Sequence, residues 1–183
     1  MAEPLYRQEQ DDLGLANLLR SRGDLLSRLG DVEGAKEAYD MAEPLYRQEK
    51  SNLGLANLLR SRGDLLSRLG DVEGAKEAYD MAEPLYHQEK NNLGLANLLQ
   101  SRGDLLMDCK MPNQAYVYYK DALNLYQDIQ ASVGEIYALA ELYGCCVILK
   151  KTAEAEKMKE HISGMIDSIP YSDVKNYVQL KIK

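Results

Sequence analysis

The sequence contains no tryptophan and no phenylalanine, so its thirteen tyrosines provide all of the aromatic side chains. It also has no run of about twenty apolar residues, the length that a membrane-spanning helix needs. Acidic residues outnumber basic ones and the formal net charge is −7, whereas nucleic-acid-binding proteins normally show a basic face. We therefore expect neither a membrane nor a nucleic acid as a partner.

Cysteine is nearly absent, since the chain has only Cys109 and the adjacent pair Cys145 and Cys146. An odd set of this kind is not a disulfide framework and is typical of reduced thiols in a cytosolic protein. The adjacent pair lies beside the apolar face of a predicted helix, which favours structural burial over reactivity. The expected location is cytoplasmic.

The sequence signatures of catalysis are missing as well. His87 and His161 are isolated, and no cluster of cysteine, histidine or carboxylate has the spacing of a metal site. The chain has no glycine-rich phosphate loop and no Gly-x-Ser-x-Gly motif. We expect no enzyme activity, no cofactor and no metal.

The dominant feature of the sequence is a repeat of about forty residues. Residues 1–40 and 41–80 differ at only three places, and a third copy begins at Met81 and holds through Leu106. A period of this length is the signature of stacked structural units in a solenoid. The three differences are Gln10 for Lys50, Asp11 for Ser51 and Asp12 for Asn52.

The pattern of each unit predicts two antiparallel helices joined by a tight turn. In the second copy, Gly70 can take a positive φ and end the first helix, and Asp71 can cap the second. Leucines recur with helical spacing in the first helix, at Leu55, Leu58, Leu59, Leu65, Leu66 and Leu69. The second helix repeats apolar residues at steps of three and four, at Val72, Ala75, Tyr79, Ala82 and Tyr86.

Pro84 leaves two alternatives for the end of that second helix. A proline inside a helix removes one backbone hydrogen bond and clashes with the preceding turn. Either the helix is kinked and runs on to about Gln88, or it ends near Glu83. The pattern favours the kinked helix.

The period also predicts the domain organisation. Pro112 suits the first position of a helix, Pro170 ends the last helix pair, and Ser172 is expected to cap a final helix. Terminal units of a repeat array must cover an open apolar face, and that helix suits this purpose. The predicted segments are the tail helix of a truncated preceding repeat (1–10), four repeats (11–50, 51–90, 91–130 and 131–170) and a C-terminal capping helix (171–183).

Several recurring residues resemble the tetratricopeptide repeat. They are a small glycine in the first helix (Gly23, Gly63, Gly103), the Gly-Asp turn (Gly30-Asp31, Gly70-Asp71), an early alanine in the second helix (Ala35, Ala75, Ala115, Ala155), a tyrosine four residues later (Tyr39, Tyr79, Tyr119) and an alanine three beyond it (Ala42, Ala82, Ala122). The forty-residue unit looks like the longer-helix variant found in spindle-orientation adaptors.

The resemblance implies an all-α, right-handed superhelical solenoid of antiparallel helix pairs. It also implies that the first helices line a concave groove that binds a peptide. The groove residues carried over by the resemblance are Asn17, Arg20, Asp24, Arg28, Asn57, Arg60, Asp64, Arg68, Asn97, Gln100, Asp104, Tyr137, Val147 and Ile148.

Two interpretations of these groove residues stay open. Asparagine offers both a donor and an acceptor to a bound backbone, and arginines such as Arg20 and Arg60 can hold acidic side chains. Tyr137, Val147 and Ile148 can seat an apolar side chain, although the C-terminal helix is expected to cover part of that patch. Alternatively the polar residues are an ordinary solvated surface of arginine–aspartate pairs four residues apart.

Two charged positions depart from the apolar pattern of the family. Arginine stands in the first helix at Arg22, Arg62 and Arg102, and glutamate late in the second helix at Glu43 and Glu83. These residues form either an ion pair within each repeat or a set of arginines lying along the edge of the core.

The function expected from all of this is a protein–protein interaction scaffold that binds a peptide segment, with acidic residues, in the groove. The alternative is a structural array that self-associates end to end through its incomplete N-terminal repeat. A repeat-built regulator of an enzyme is a weaker third possibility, since no catalytic residue is found.

Overall fold

The computed structural model describes Tyr6, residues 11–167 and residues 170–182, and these ranges contain helices and no strands. The predicted tail helix over residues 1–10 lies outside the described part, apart from Tyr6, which is helical. The helices with described bounds are α1 (Asp12–Leu29), α2 (Val32–Gln48), α3 (Asn52–Arg68), α4 (Val72–Gln88), α5 (Asn92–Asp108), α6 (Pro112–Asp128), α7 (Ser132–Ile148), α8 (Thr152–Ile166) and α9 (Ser172–Lys181).

Connections of only two or three residues join consecutive helices as far as α8, which favours antiparallel packing of neighbours inside each unit described below. The chain divides into two compact units, Met1–Asn91 and Asn92–Lys183. In the first unit, α1 packs along α2 and α3 along α4, and α3 also contacts α1 and α2. In the second, α5 packs on α6, α6 on α7, and α7 on both α8 and α9. The predicted all-α fold is confirmed.

The turns inside the first two helix pairs follow the sequence prediction. Gly30 and Gly70 have φ of +82° and +79°, a conformation that costs glycine little because it has no Cβ. Asp31 and Asp71 then cap the second helices, each accepting a 3.0 Å hydrogen bond from the backbone N–H three residues later.

Prolines and caps settle three further predictions. Helix α4 continues through Pro84 to Gln88, so the alternative that it ends near Glu83 is wrong. Pro112 opens α6 as predicted. Ser172 does not cap α9, because the non-helical residue before that helix is Tyr171 and Ser172 is the first helical residue.

The recurring glycine of each first helix makes room for a tyrosine ring from its partner helix. A Cβ added to Gly63 would lie 2.3 Å from Cε1 of Tyr79, and one added to Gly23 would lie 2.4 Å from the same atom of Tyr39. Both rings are about 1% exposed. The glycine and the tyrosine therefore form one packing unit, which sets how closely the two helices of a pair approach.

The predicted arginine–glutamate pair exists, but it joins neighbouring repeats and not the two helices of one repeat. Arg62 on α3 donates hydrogen bonds to Glu43 and, at 2.6 Å, to Asp40, both on the preceding α2. Arg47 donates to Glu43 as well, at 2.7 and 2.9 Å. Burial alone would raise the pKa of Glu43, but the hydrogen bonds from Arg47 and Arg62 outweigh it and lower that pKa.

Helix α9 occupies the position in the forty-residue period at which the first helix of a fifth repeat would begin. It begins at Ser172, one forty-residue period after Ser132 opens α7. Its Val174 and Val178 are buried in one apolar cluster with Ile136 of α7 and other residues of α7 and α8. Helix α9 therefore packs over an apolar surface of α7 and α8.

Candidate functional site

The candidate site is built on α1 and α3, whose polar residues share one helix face. Asn17, Arg20 and Asp24 of α1 are spaced by three and four residues, and helical geometry places residues so spaced on the same side. The same trio recurs one period later on α3, as Asn57, Arg60 and Asp64.

The aspartate of each trio accepts two hydrogen bonds from side chains of the same repeat. Asp24 accepts a 2.8 Å hydrogen bond from the Tyr39 hydroxyl and a 2.9 Å bond from Nη1 of Arg20. Burial, together with the nearby Asp24 carboxylate, raises the pKa of Tyr39 above its ordinary value. The carboxylate is therefore held in place by its own repeat.

The second repeat reproduces this arrangement almost atom for atom. Asp64 accepts from the Tyr79 hydroxyl at 2.9 Å and from Nη1 of Arg60 at 3.0 Å. Burial alone would lower the pKa of Arg60, but the Asp64 carboxylate and the Tyr86 hydroxyl outweigh it and raise that pKa. Arg60 is consequently a fixed positive charge.

The asparagines are fixed by tyrosines too. Tyr46 donates to Oδ1 of Asn17 and Tyr86 to Oδ1 of Asn57, both at 2.8 Å. The side-chain oxygen of each asparagine is thus engaged inside the protein. The amide nitrogen and the second lone pair of the oxygen remain for other partners, so pairing of these asparagines with a bound backbone stays a prediction.

Sequence reasoning did not assign these tyrosine hydroxyls to the site. The sequence could have indicated them, because the tyrosines recur at positions predicted to be buried, and a buried tyrosine needs a hydrogen-bond partner for its hydroxyl. The separation from Asp24 to Tyr39 is 15 residues, and the separation from Asp64 to Tyr79 is the same.

A cavity of about 90 Å³ opens beside these groups within the first unit. Arg68 reaches across it from α3 to α1, donating to the side-chain oxygen and, at 3.4 Å, to the backbone carbonyl of Ser27. It also donates to the backbone carbonyl of Asp64 at 3.2 Å. The lining residues are Asp24, Arg28, Tyr39, Arg60, Ser61, Asp64 and Arg68.

Positive charge predominates around this cavity, because it is lined by three arginines and two aspartates. The Nε atoms of Arg20 and Arg60 are buried and donate to no acceptor among the described residues. Buried donors are nearly always paired in native proteins. An anionic ligand carrying several acceptor oxygens would match the excess of positive charge that lines the cavity.

The groove residues predicted in the second unit differ in chemistry. Asp104 accepts from Tyr119 at 2.7 Å, and Asn97 accepts from Tyr126 at 2.7 Å. Gln100 stands where the first two repeats have arginine, so this repeat carries one positive charge fewer at that face.

The apolar residues predicted on α7 are split between two environments. Tyr137 packs against Tyr177 of α9, with ring centroids 5.1 Å apart. Val147 and Ile148 remain 53% and 56% exposed. Helix α9 was expected to cover the apolar patch near Val147. It packs instead on the first half of α7, where it covers Tyr137, and it leaves the last turn of α7 exposed.

None of the helices within the described ranges is long and apolar enough to cross a bilayer. No family model matches the chain, and no curated protein matches it either. Among solved structures, the crystal structure of BtubC (BKLC) from P. vanneervenii is similar, with a TM-score of 0.81 and 16% sequence identity. The match covers 99% of this chain and 76% of that chain. This likeness shows the fold, an all-α helical repeat.

Proposed function

We propose that this chain is a non-enzymatic binding module of the tetratricopeptide kind, and that its cavity between α1 and α3 receives an acidic side chain of a protein partner. The observation that carries the proposal is the convergence of Arg28, Arg60 and Arg68 on one small cavity. A helical-repeat fold supports a scaffold role in general, since such folds offer extended binding surfaces.

The chemistry of the cavity supports a carboxylate in particular. Asp24 and Asp64 already accept hydrogen bonds from a tyrosine and an arginine each, and these bonds fix the positions of the side chains around the cavity. Arg28 is exposed and can complete the coordination of an incoming carboxylate with charge-assisted hydrogen bonds. The buried Cys145 and Cys146 are free thiols, which supports a reducing, cytoplasmic setting for this binding.

The test uses two extended peptides that differ only by a central glutamate or glutamine, titrated into isotopically labelled protein and followed by NMR. The glutamate peptide should shift the signals of α1 and α3 and bind more tightly than the glutamine peptide. Arg28→Gln should weaken that binding about tenfold, the effect of one charge-assisted hydrogen bond. Lys36→Gln, on the exposed surface of α2, is the matched control. Equal affinity for the two peptides would exclude the proposal.

A second candidate function is self-association through α1. Leu25 of α1 is 57% exposed, whereas Leu65, its counterpart on α3, is 3% exposed because it packs into the cluster formed with α1 and α2. The leucine that α3 buries is therefore exposed at the corresponding place on α1. Sedimentation velocity over a range of concentrations tests this function, and a chain that stays monomeric throughout would exclude it.

A further inference from the structure

Helix α9 covers α7 with only ten residues, while the other helices of the described ranges have fifteen or more. We call the covered surface the α9 seat, formed by Ile136, Leu139, Ala140, Glu141 and Ile162. Val178 is fully buried on it, and Val174 is nearly so. The α9 seat is thus the place that a longer first helix would occupy in a continuing array.

A buried charge lies in the α9 seat. Glu141 is 6% exposed and accepts hydrogen bonds from the Tyr177 hydroxyl and, at 2.8 Å, from Nζ of Lys181. A buried carboxylate is costly unless donors surround it. Any helix that replaces α9 must therefore bring donors to Glu141 and an apolar residue to the position of Val178.

Helix α1 carries those groups in the same register. Asn17, Leu18 and Ser21 stand four forty-residue periods before Tyr177, Val178 and Lys181. The asparagine amide and the serine hydroxyl are donors, and the leucine is apolar. We call these three residues and Leu25 the open face of α1.

The first unit contains a direct precedent for such docking. Residues 13–28 of α1 and 53–68 of α3 are identical. Helix α3 docks on α1 and α2 with this sequence, and it buries Leu58 completely and Leu65 almost completely. The open face of α1 consists of the same types of side chain, and its Leu25 is more than half exposed.

We propose that the open face of α1 in one copy of the chain docks on the α9 seat of a second copy, in place of α9. This inference rests on the self-association proposed above and names its second surface. The contact joins two different surfaces, so it propagates from copy to copy and gives a ring or an open filament. Helix α9 competes from within the same chain, at an effective concentration on the order of millimolar.

The competition makes a specific prediction for α9. Val178→Asp places a charge at a fully buried position, so α9 should leave its seat while α7 and α8 remain unchanged. Sedimentation velocity of the full chain should then show self-association at least about tenfold tighter than in the wild type. Lys181→Ala, which removes one donor from Glu141, should strengthen it by less.

The second half of the test removes the open face of α1. Adding Leu25→Glu to the Val178→Asp chain should restore the monomer. Adding Leu93→Glu, at a half-exposed leucine of α5, should leave the association intact. In the wild type, hydrogen exchange of the α9 amides should rise as the protein concentration is raised, and Leu25→Glu should abolish that rise.

The outcomes separate the two proposals. If every variant is monomeric at all concentrations, both the self-association and this inference are excluded. If the wild type associates and Leu25→Glu prevents it, but Val178→Asp does not strengthen it, self-association stands and the α9 seat is excluded. An association that survives Leu25→Glu excludes both.

Discussion

The hydroxyl of Tyr39 on α2 donates a 2.8 Å hydrogen bond to the carboxylate of Asp24 on α1. The same ring packs on Gly23, one residue before that aspartate. One tyrosine therefore sets both the spacing of the helix pair and the position of a charged group in the candidate site. The packing of the helix pair and the geometry of the candidate site are coupled through this side chain.

Replacing Tyr39 with phenylalanine keeps the ring and removes the donor. We expect the free energy of unfolding to fall by about 1 kcal/mol, because Asp24 loses one bond but can still meet water. Urea denaturation measures the change. Tyr118→Phe is the matched control, since its described contact is between the ring and Arg102. An equal loss in both variants would contradict the assignment.

The tyrosines also predict a loss of stability at alkaline pH. Burial and a neighbouring aspartate raise the pKa of Tyr39 and of Tyr119 above the ordinary value of 10.0. These groups therefore stay protonated in the folded chain after they would ionise in the unfolded one. Their contribution to stability is complete below about pH 10 and declines as the pH rises through the folded pKa.

Urea denaturation at a series of pH values from about 9 to 11 tests that decline. The free energy of unfolding should fall with pH more steeply in the wild type than in the double variant Tyr39→Phe/Tyr119→Phe. Parallel curves for the two proteins would show that these tyrosines do not cause the dependence.

Two glycine-to-alanine substitutions should have opposite signs. At Gly63 the new methyl group would lie 2.3 Å from the buried ring of Tyr79, so we expect a loss of about 1–3 kcal/mol from overpacking. At Gly144 a Cβ meets nothing within 4 Å inside α7, so alanine should gain about 0.5–1 kcal/mol of helix stability. Thermal and urea unfolding of both variants measure the difference, and a gain at Gly63 would contradict the packing.

A double-mutant cycle measures the link between repeats at Arg62 and Glu43. Both side chains are about three-quarters buried, and truncating one leaves the other with a single charged partner, Asp40 for Arg62 or Arg47 for Glu43. We expect a coupling free energy of about 1 kcal/mol from Arg62→Ala, Glu43→Gln and the double variant. A coupling near zero would mean that the pair does not hold the repeats together.

The same pair has a pH dependence of known sign. The pKa of Glu43 is lowered in the folded chain, so its contribution is present above the ordinary carboxylate pKa and is lost as the pH falls through the folded value. Arg62→Ala should therefore flatten the acid limb of the stability curve. An unchanged acid limb would exclude this cause.

The three thiols should differ in reactivity. Burial and the charge of Glu141 raise the pKa of Cys145 to about 11, and burial raises that of Cys146. Cys109 is only partly buried. With a thiol reagent at about pH 8, Cys109 should react first and the other two only after unfolding. Simultaneous labelling of all three would contradict this order.

The sequence predicts the helices well, because the forty-residue period and the helical spacing of leucine and alanine act together. It also predicts the Gly-Asp turns, since few residues suit a left-handed turn followed by a cap. The cap at Ser172 was wrong because a cap depends on backbone angles, and here the non-helical residue is Tyr171.

The site was harder to predict than the fold. Residue type and helix face pointed to Arg20 and Arg60, but not to the hydroxyls of Tyr39 and Tyr46 that fix their neighbours. Those contacts depend on the register between two antiparallel helices. The partner of Arg62 was assigned to the wrong repeat for a similar reason. The position of a residue along its own helix does not show whether its side chain faces the preceding helix or the following one.

The residues with positive φ in the turns between helices are places where substitution can raise the melting temperature. In the part of the chain that the structure describes, five non-glycine residues at these turns have φ between +49° and +60°, namely Lys50, Lys90, Lys110, Gln130 and Lys150. Such a conformation costs an L-residue roughly 1–2 kcal/mol, and glycine avoids most of it. Glycine at these five positions should therefore raise the melting temperature without changing any residue that lines the cavity between α1 and α3.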